Sequence, residues 1–335
     1  MALHQTYKPN SHCVSGSLPA SSSNLNNTTT LKRMPALLQL FCKAVISSAQ
    51  VGNKATIKTH NKHPAIPKLS MRLNRIKPQF KQVKRYANVC HYNFDGYILP
   101  ITFPHILAFN LQLKLMTHKR FPFPTMGLVH IRNTLTSHCP ILMNESLNLH
   151  VFIGDAHSTD KGVEFTIHSQ ASVNHELVWE SISTYLHIIK KATKKPLSKK
   201  ELTEKRTHQS LRYHQRWFIP SNLGRKYALT SGDANPIHLH ALSATLFGFK
   251  HPIVHGMWLK AHTIASLNPI IQQNSAVTAS VEFKQAPPLN NKIRMNYQER
   301  AVELSTHKNK GIDFDIRSED SQKLHMIGSI TYSSA

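Results

Sequence analysis

The stretch SGDANPIH, which ends at His238, sets a carboxylate, an amide and an imidazole close to a glycine and a proline. Asn235 is a favourable helix N-cap, Pro236 suits the first helical position, and Gly248 suits the position just past a helix end. His238 is therefore predicted in the first turn of a short helix, with Asp233 on the loop that leads into it. The two side chains can then converge on one point in front of that turn.

An Asp and a His aimed at one water form an acid/base pair, because the carboxylate accepts a proton and imidazole titrates near neutrality. Asn235 can add a hydrogen bond that fixes the water or the pair. The spacing leaves an alternative open. In an Asx-type turn, Asp233 and Asn235 would bond local backbone and His238 would be exposed.

The next segment, PIVHGMW, places Gly256 at the start of an apolar helix that begins near Met257. Backbone N–H groups are free at a helix N-terminus, and the positive end of the helix dipole faces outward there. Because glycine has no side chain, its N–H can reach a substrate carbonyl oxygen and stabilise an enolate-like anion. A glycine needed only for backbone geometry is the alternative.

Four histidines in this region, His238, His240, His251 and His255, raise the question of a metal. A His-x-His pair at a helix start does not direct two ligands to one face, and no further acid or cysteine completes a set nearby. No metal is therefore predicted. His240 and His251 are expected to be exposed, and His255 to be packed or hydrogen-bonded.

Folded structure is predicted from about residue 86. In the first half, residues 86–189, an apolar helix-like run at 106–116 precedes alternating segments typical of strands, such as GVEFTIHSQASV. Residues 190–206 are charged and contain a proline, which predicts a solvated linker.

The same order follows in residues 207–335, where a helix-like run precedes four strand-like runs, so the chain is predicted to contain a duplicated unit. The visible trace of the repeat is FPFPTMGLVH at 121–130, matched to FGFKHPIVHG at 247–256. The first half has no Asp-x-Asn-Pro-x-His before its counterpart. Chemistry is therefore expected in the second half alone.

Residues 1–85 are predicted to lie outside the two folded halves. The first thirty, rich in Ser, Asn and Thr, are expected to form a mobile tail, and residues 51–85 a basic, Pro-punctuated connecting arm. Residues 34–49 are predicted to form an amphipathic surface or docking helix. No apolar run approaches the roughly 20 residues that cross a bilayer, so stable membrane insertion is not expected.

The composition is strongly basic, with 41 Lys and Arg against 17 Asp and Glu and a formal charge of +24. Such a surface attracts anionic partners, which include nucleic acid, a membrane face, an acidic carrier protein or a phosphorylated ligand. The four cysteines are far apart, so neither a disulfide framework nor a thiolate zinc site is predicted, and a cytoplasmic location is expected.

The stretch YALTSGDANPIHLHALSATLFGFKHPIVHGMW resembles the hydratase 2 signature of the MaoC-like (R)-specific enoyl-thioester hydratases and dehydratases. The first half resembles the motif-less N-terminal unit of two-domain members through LPITFPHILAF and FPFPTMGLVH. The resemblance implies an α+β double hot-dog fold, in which two antiparallel sheets each wrap a central helix, here residues 256–268. The first unit would complete the pseudo-dimer and shape the acyl cavity.

The resemblance also implies the reaction, which is reversible hydration of a trans-2-enoyl thioester to the (R)-3-hydroxyacyl thioester of CoA or acyl carrier protein. Asp233 and His238 would act on the water, Asn235 would support them, and the Gly256 N–H would polarise the carbonyl. No metal or redox cofactor is implied. This chain departs from many members at His240, where an acid or a small residue is usual, which puts pKa values and thioester preference in doubt.

Two other functions remain as alternatives. A non-catalytic hot-dog module that binds acyl thioesters would fit a lost motif, but every motif residue is intact. Nucleic-acid binding rests on charge alone, because zinc-finger spacing and the aromatic basic signatures of common RNA modules are absent from the sequence. A homodimer is compatible with the sequence, although the internal pair of units can satisfy the hot-dog dimer by itself.

Overall fold

The computed structural model describes residues 28–37, 39–41, 43–45, 66–189, 213–246, 248–271, 276–304 and 307–333. Within these residues eleven strands form one continuous sheet. The strands are β1 (Thr28–Leu31), β2 (Ser70–Ile76), β3 (Leu128–Ser137), β4 (Leu147–Thr159), β5 (Gly162–Val173), β6 (Glu176–Ile188), β7 (Tyr213–Ile219), β8 (Val277–Phe283), β9 (Asn291–Leu304), β10 (His307–Ser318) and β11 (Leu324–Ser333).

Five helices with defined bounds accompany the sheet. They are α1 (Phe80–Cys90), α2 (Phe103–Met116), α3 (Leu223–Ser231), α4 (Ala241–Leu246) and α5 (Gly256–Leu267). A single 3-10 turn, Pro236–His238, lies between α3 and α4. The described residues between 37 and 45 are also helical.

The two halves follow the same path. In each half one strand leads into a short helix, a long helix and four further strands, and the second half adds the 3-10 turn and α4 between its short and long helices. The sheet order is β1-β2-β4-β5-β6-β3-β8-β11-β10-β9-β7, so in both halves the five strands lie in the order first, third, fourth, fifth, second. Antiparallel pairing of β3 with β8 joins the halves edge to edge. The duplication predicted from the sequence is thus visible in the topology.

The long helices α2 and α5 are the centres of the two units. Most of their residues are buried, on all sides of each helix, because each helix is enclosed by its sheet and by the neighbouring short helices. Antiparallel strands around a central helix, present twice, form the predicted double hot-dog. The predicted central helix, residues 256–268, is confirmed to within one residue.

A buried lysine ties the two units together at the sheet junction. Lys260 of α5 is completely buried, and its Nζ donates to the carbonyl oxygen of Asn133 at 3.1 Å, to the Asn133 Oδ1 at 2.6 Å and to the carbonyl oxygen of Ala279 at 2.8 Å. Burial holds the pKa of the Lys260 amine well below its usual value. Asn133 lies on β3 and Ala279 on β8, so this one side chain bridges both halves.

The chain before residue 86 is more than an arm. Within 66–85 the strand β2 pairs with β4, and its Met71 and Leu73 are buried in the core. The interpretation of this part as a connecting arm is therefore wrong. The sequence suggests an arm because only two apolar positions of β2 face inward, and they lie between exposed basic ones. Most of residues 1–65 and the predicted linker at 190–206 lie outside the described residues.

The predicted surface helix at 34–49 is also corrected in part. Leu40 and Ala44 are buried in the main core, and Leu37 and Phe41 pack against it. These four positions follow the i, i+3, i+4, i+7 spacing of one helix face. The described part of this helix therefore docks on the protein itself.

The matched decapeptides of the repeat prediction are not equivalent in space. Residues 121–130 follow the central helix α2 and lead into β3, whereas residues 247–256 precede the central helix α5. That alignment is wrong because both segments share only local aromatic and proline composition.

Two further findings bear on the composition. Cys139 is disulfide-bonded, which the cysteine spacing did not predict, and no helix among the described residues is long and apolar enough to cross a membrane.

Candidate functional site

The loop after α3 is held by a series of short-range hydrogen bonds. Gly232 ends the helix with φ of 78°, a left-handed conformation that glycine adopts without strain. The N–H of Asp233 donates to Ser231 Oγ at 3.1 Å, and the N–H of Asn235 donates to Asp233 Oδ1 at 3.3 Å. The Asx-type turn is therefore present, but its other expectation is wrong, since His238 is buried.

The single short helix predicted from Asn235 is divided into two pieces, the 3-10 turn and α4. Asn235 caps the first piece, as predicted, because its Oδ1 accepts the N–H of Ile237 at 3.4 Å. The Pro236 carbonyl accepts the N–H of Leu239 in the 3-10 pattern and also the Ser243 hydroxyl at 2.7 Å. The carbonyl is thus not available to continue an α-helix. Whether Asn235 also supports catalysis remains a prediction.

The ring of His238 is fixed in one tautomer. Its Nδ1 lies 2.8 Å from the carbonyl oxygen of Ile253, and a carbonyl only accepts, so Nδ1 carries the proton. Burial is the main cause that lowers the pKa of His238 below 6.5. The ring is therefore neutral near pH 7, and its Nε2 presents a lone pair that can accept a proton.

His255 lies directly against this ring. The two ring centroids are 3.7 Å apart with an interplanar angle of 27°, and the ring of Tyr227 lies 4.8 Å from that of His255. The Nε2 of His255 donates to the backbone carbonyl of Asp233 at 3.0 Å. The prediction that His255 is packed and hydrogen-bonded is confirmed, as is the exposure of His240 and His251. His255 therefore holds the loop that carries the carboxylate.

Asp233, His238 and His255 form a cluster in which one oxygen or nitrogen of each lies within 4.8 Å of the others. Burial raises the pKa of the Asp233 carboxyl above its ordinary 3.8, and the neighbouring His238 opposes that rise. The structure thus brings the predicted pair together. His255 adds a third group with a ligating atom, so this cluster is where a cation would bind if the protein held one. The sequence predicted a packed or hydrogen-bonded His255 and did not place it in a ligand set with Asp233 and His238.

Gly256 is the first residue of α5 and follows His255 directly, so its N–H lies at the free end of the central helix next to the cluster. A Cβ at Gly256 would lie 3.1 Å from two ring atoms of Phe283. The close ring makes a larger residue at this position difficult to accommodate. Phe283 therefore packs directly against the start of α5.

An aromatic wall formed by Phe283, His130 and Tyr185 extends from the start of α5 into the first half. The ring of Phe283 lies 5.2 Å from that of His130, which stacks on Tyr185 at 4.7 Å. Burial raises the pKa of Tyr185, and the charge of Asp233 raises it further. The Tyr185 hydroxyl donates to Gln112 Oε1 at 3.0 Å. Sequence reasoning missed the wall because strand pairing alone assembles it from β8, β3 and β6.

Gly224 and Leu37, which both lie outside the motif, shape the loop by contact. A Cβ at Gly224 of α3 would overlap the backbone carbonyl oxygen of His238, and a Cβ at Gly232 would overlap Leu37. The helix packs against the 3-10 turn with no room for a side chain between them. Leu37, from the docked N-terminal segment, lies beside the turn that carries Asp233.

The first half has no equivalent of this site. Its central helix α2 begins with Phe103 and Pro104, and Pro104 lacks a backbone N–H. Its short loop carries Asp95, whose Oδ1 accepts the N–H groups of Tyr97 and Ile98 and is exposed. Among the described residues, only the second half therefore combines an acid, a histidine and a glycine N–H at the start of its central helix. That the chemistry is confined to this half stays a prediction.

Comparison with known proteins assigns the second half. Residues 199–319 match the family described as MaoC like domain. This part of the chain is therefore similar to a MaoC-like domain. The chain is also 29% identical over 204 residues to the 3-hydroxyacyl-thioester dehydratase X of Mycobacterium tuberculosis. The aligned residues cover 60% of this chain and 70% of that relative. Asp233, His238 and Gly256 all lie within the matched MaoC-like domain.

Solved structures of similar fold span both halves and not only the MaoC-like domain. The crystal structure of HtdX of M. tuberculosis matches with a TM-score of 0.62 and 24% identity, covering 78% of this chain and 98% of that one. The peroxisomal multifunctional enzyme type 2 of Drosophila melanogaster matches with a TM-score of 0.55 and 15% identity, over 90% of this chain and 53% of that one. The double hot-dog arrangement is thus shared well beyond the MaoC-like domain itself.

Proposed function

We propose that the protein catalyses the reversible hydration of trans-2-enoyl thioesters to (R)-3-hydroxyacyl thioesters. The observation that carries the proposal is the convergence of Asp233 and the unprotonated Nε2 of His238 beside the free helix end at Gly256. The similarity to a 3-hydroxyacyl-thioester dehydratase supports the reaction class. The acyl group would be carried on CoA or on an acyl carrier protein.

In the hydration direction, the pair removes a proton from a bound water as its oxygen bonds to C3 of the enoyl group. The electron pair of the double bond moves toward the thioester oxygen, and the pair then returns the proton to C2. Asp233 and His238 share this work because a neutral imidazole and a carboxylate can each accept the proton. The balance is one water added across one double bond.

The Gly256 N–H would stabilise the negative charge that develops on the thioester oxygen. A donor fixed at a helix N-terminus needs no reorganisation during the reaction, and removing such a donor typically costs about 10²–10³ in rate. The adjoining aromatic wall would receive the acyl chain, since its three rings come from the sheet that encloses the site. Asn235 would keep the loop in place by its capping bond.

The enoyl-thioester panel tests the proposal directly. Purified protein is offered crotonyl and longer trans-2-enoyl thioesters on both CoA and acyl carrier protein, and loss of the conjugated enoyl absorbance is followed. The assay contains EDTA, because the proposed chemistry needs no metal or redox cofactor. Hydration is expected on at least one chain length, with His238→Ala inactive. Absence of hydration on every substrate, or full activity of His238→Ala, would reject the proposal.

The pH dependence follows from the two shifted groups. The active pair holds an ionised Asp233, whose pKa lies above 3.8, and a neutral His238, whose pKa lies below 6.5. Either group loses its function when it gains a proton, so kcat/KM for hydration is expected to fall as the pH is lowered, with a midpoint above pH 3.8 that is set by whichever group has the higher pKa. A midpoint at or below pH 3.8 in the rate profile would contradict a buried, ionised Asp233 as part of the pair.

A further inference from the structure

The acidic residues of this chain are distributed unevenly. Asp95 is the only acid in residues 1–144, and Asp233 is the only acid in residues 205–281. These two segments contain every helix described above, together with the proposed active site. The other acids lie in the strands β4–β6 and β8–β11, their turns and the linker. The two segments that contain the helices are therefore strongly basic.

The helices α1 and α3 form one layer over the site. They contact each other through Tyr86 and Tyr227, whose ring centroids are 6.3 Å apart, and Tyr227 packs on His255 of the cluster at 4.8 Å. The positions on the opposite, outward sides of the two helices are exposed and basic. We define this basic face by the exposed residues Lys81, Lys84, Arg85, Arg225 and Lys226.

The charges of the basic face are available for a partner. Among the described residues, the ion pairs lie on strands or next to them, and none includes a residue of α1 or α3. Arg225 donates to the carbonyl oxygen of Leu239 at 3.3 Å, a contact that leaves its charge uncompensated. The acid-poor segment 1–144 also contains the exposed residues Lys32, Arg33 and Lys43.

Exposed leucines accompany these cations. Leu229 of α3 is 83% exposed, and Leu242 and Leu246 of α4 are 75% and 80% exposed, which makes them the three most exposed large apolar residues among those the structure describes. The α4 helix follows the 3-10 turn that packs on α3. Apolar side chains grouped at a charged rim are typical of a protein docking surface.

We propose that the basic face and these three leucines dock an acidic acyl carrier protein, which presents the thioester to the site beneath. This inference rests on the proposed function and names the carrier. An 11-residue helix is about 16 Å long and a packed neighbour lies about 8–10 Å away. Cations spread over such an area match an extended acidic surface, whereas the phosphates of CoA form a compact group that has no use for exposed leucines.

The test compares two carriers with charge-matched variants. Lys81→Glu/Lys226→Glu reverses one charge on each helix of the basic face, and Leu229→Gln removes the apolar contact of α3. The control, Lys292→Glu/Lys310→Glu, makes the same change in net charge on the exposed strands β9 and β10. Initial rates are measured with crotonyl-acyl carrier protein and with crotonyl-CoA at low and physiological salt.

The expected result is a rise of about ten-fold or more in KM for the carrier-protein substrate in the charge variant and of several-fold in Leu229→Gln. The kcat with both substrates and the KM for crotonyl-CoA should change by less than about three-fold, and the control should match wild type. Added salt should raise the wild-type KM for the carrier-protein substrate and leave the charge variant less affected.

Three outcomes would overturn the inference. An equal rise in KM on both carriers would assign the face to CoA, and an unchanged KM for the carrier protein would leave it without this role. Self-association of the wild type that is lost in Leu229→Gln would assign the leucines to a second copy of the chain. If neither thioester is hydrated, titration of isotopically labelled carrier protein by NMR still measures docking, so failure of the proposed function is distinguishable.

Discussion

Replacing Asp233 by asparagine is expected to lower kcat/KM for crotonyl-CoA by about 10²–10⁴-fold, because the amide keeps the size of the side chain but cannot accept the proton of the water. The local hydrogen bond to the Asn235 N–H can persist through the amide oxygen, so the loop should retain its shape. Steady-state hydration rates measure the effect. Activity within ten-fold of wild type would show that this carboxylate is not the proton acceptor.

The same variant is expected to be more stable than wild type at pH 7. The folded-state pKa of Asp233 is raised by burial, so ionisation of the carboxyl costs stability as the pH rises from 3.8 through that higher value. Asparagine mimics the neutral form, and the gain should vanish below pH 3.8, where both chains are uncharged at this position. Thermal melts at pH 7 and near pH 3.5 compare the two proteins, and an equal gain at both values would contradict the ionisation cause.

Substituting alanine for Gly224 should damage the site from outside the motif. The new Cβ overlaps the carbonyl oxygen of His238, so either α3 or the 3-10 turn must move. A displacement of about 1 Å at a reacting group can cost about 10² in rate, and overpacking of this kind costs about 1–3 kcal/mol in stability. We therefore expect a loss near 10²-fold in kcat/KM with a lower melting temperature.

The matched control for this substitution is Ser221→Ala, which lies on the exposed turn immediately before α3. It should leave rate and melting temperature unchanged. If Gly224→Ala unfolds at the assay temperature, the rate is measured at a lower temperature at which the variant is folded. The pH profile of the folded fraction is then compared with that of wild type. A Gly224→Ala protein with wild-type kcat and an unaltered pH profile would show that the helix does not set the position of His238.

The local geometry of the site was predictable because it depends on short spacing. The cap at Asn235, the convergence of Asp233 with His238, and the helix start at Gly256 follow from residues within about 25 positions of one another. Propensity and capping rules act over that range. The break in the predicted helix was missed because it depends on a side-chain bond from Ser243 back to Pro236.

The remaining parts of the site depend on contacts that no local pattern encodes. Tyr185 and His130 reach it only because β6, β3 and β8 are neighbours in the sheet. Leu37 reaches Gly232 from almost two hundred residues away. The sequence of β2 predicts a connecting arm because its apolar positions are few and its exposed ones are basic. Burial in these places is decided by tertiary partners rather than by the residues themselves.

The shared lysine at the sheet junction has a consequence for how the chain can be divided. Because Lys260 depends on acceptors from both β3 and β8, a fragment without the first half would keep a buried amine that has lost Asn133 and would expose the unpaired edge of β8. The two halves are therefore one unit of stability, and the second half is not expected to fold when it is produced alone.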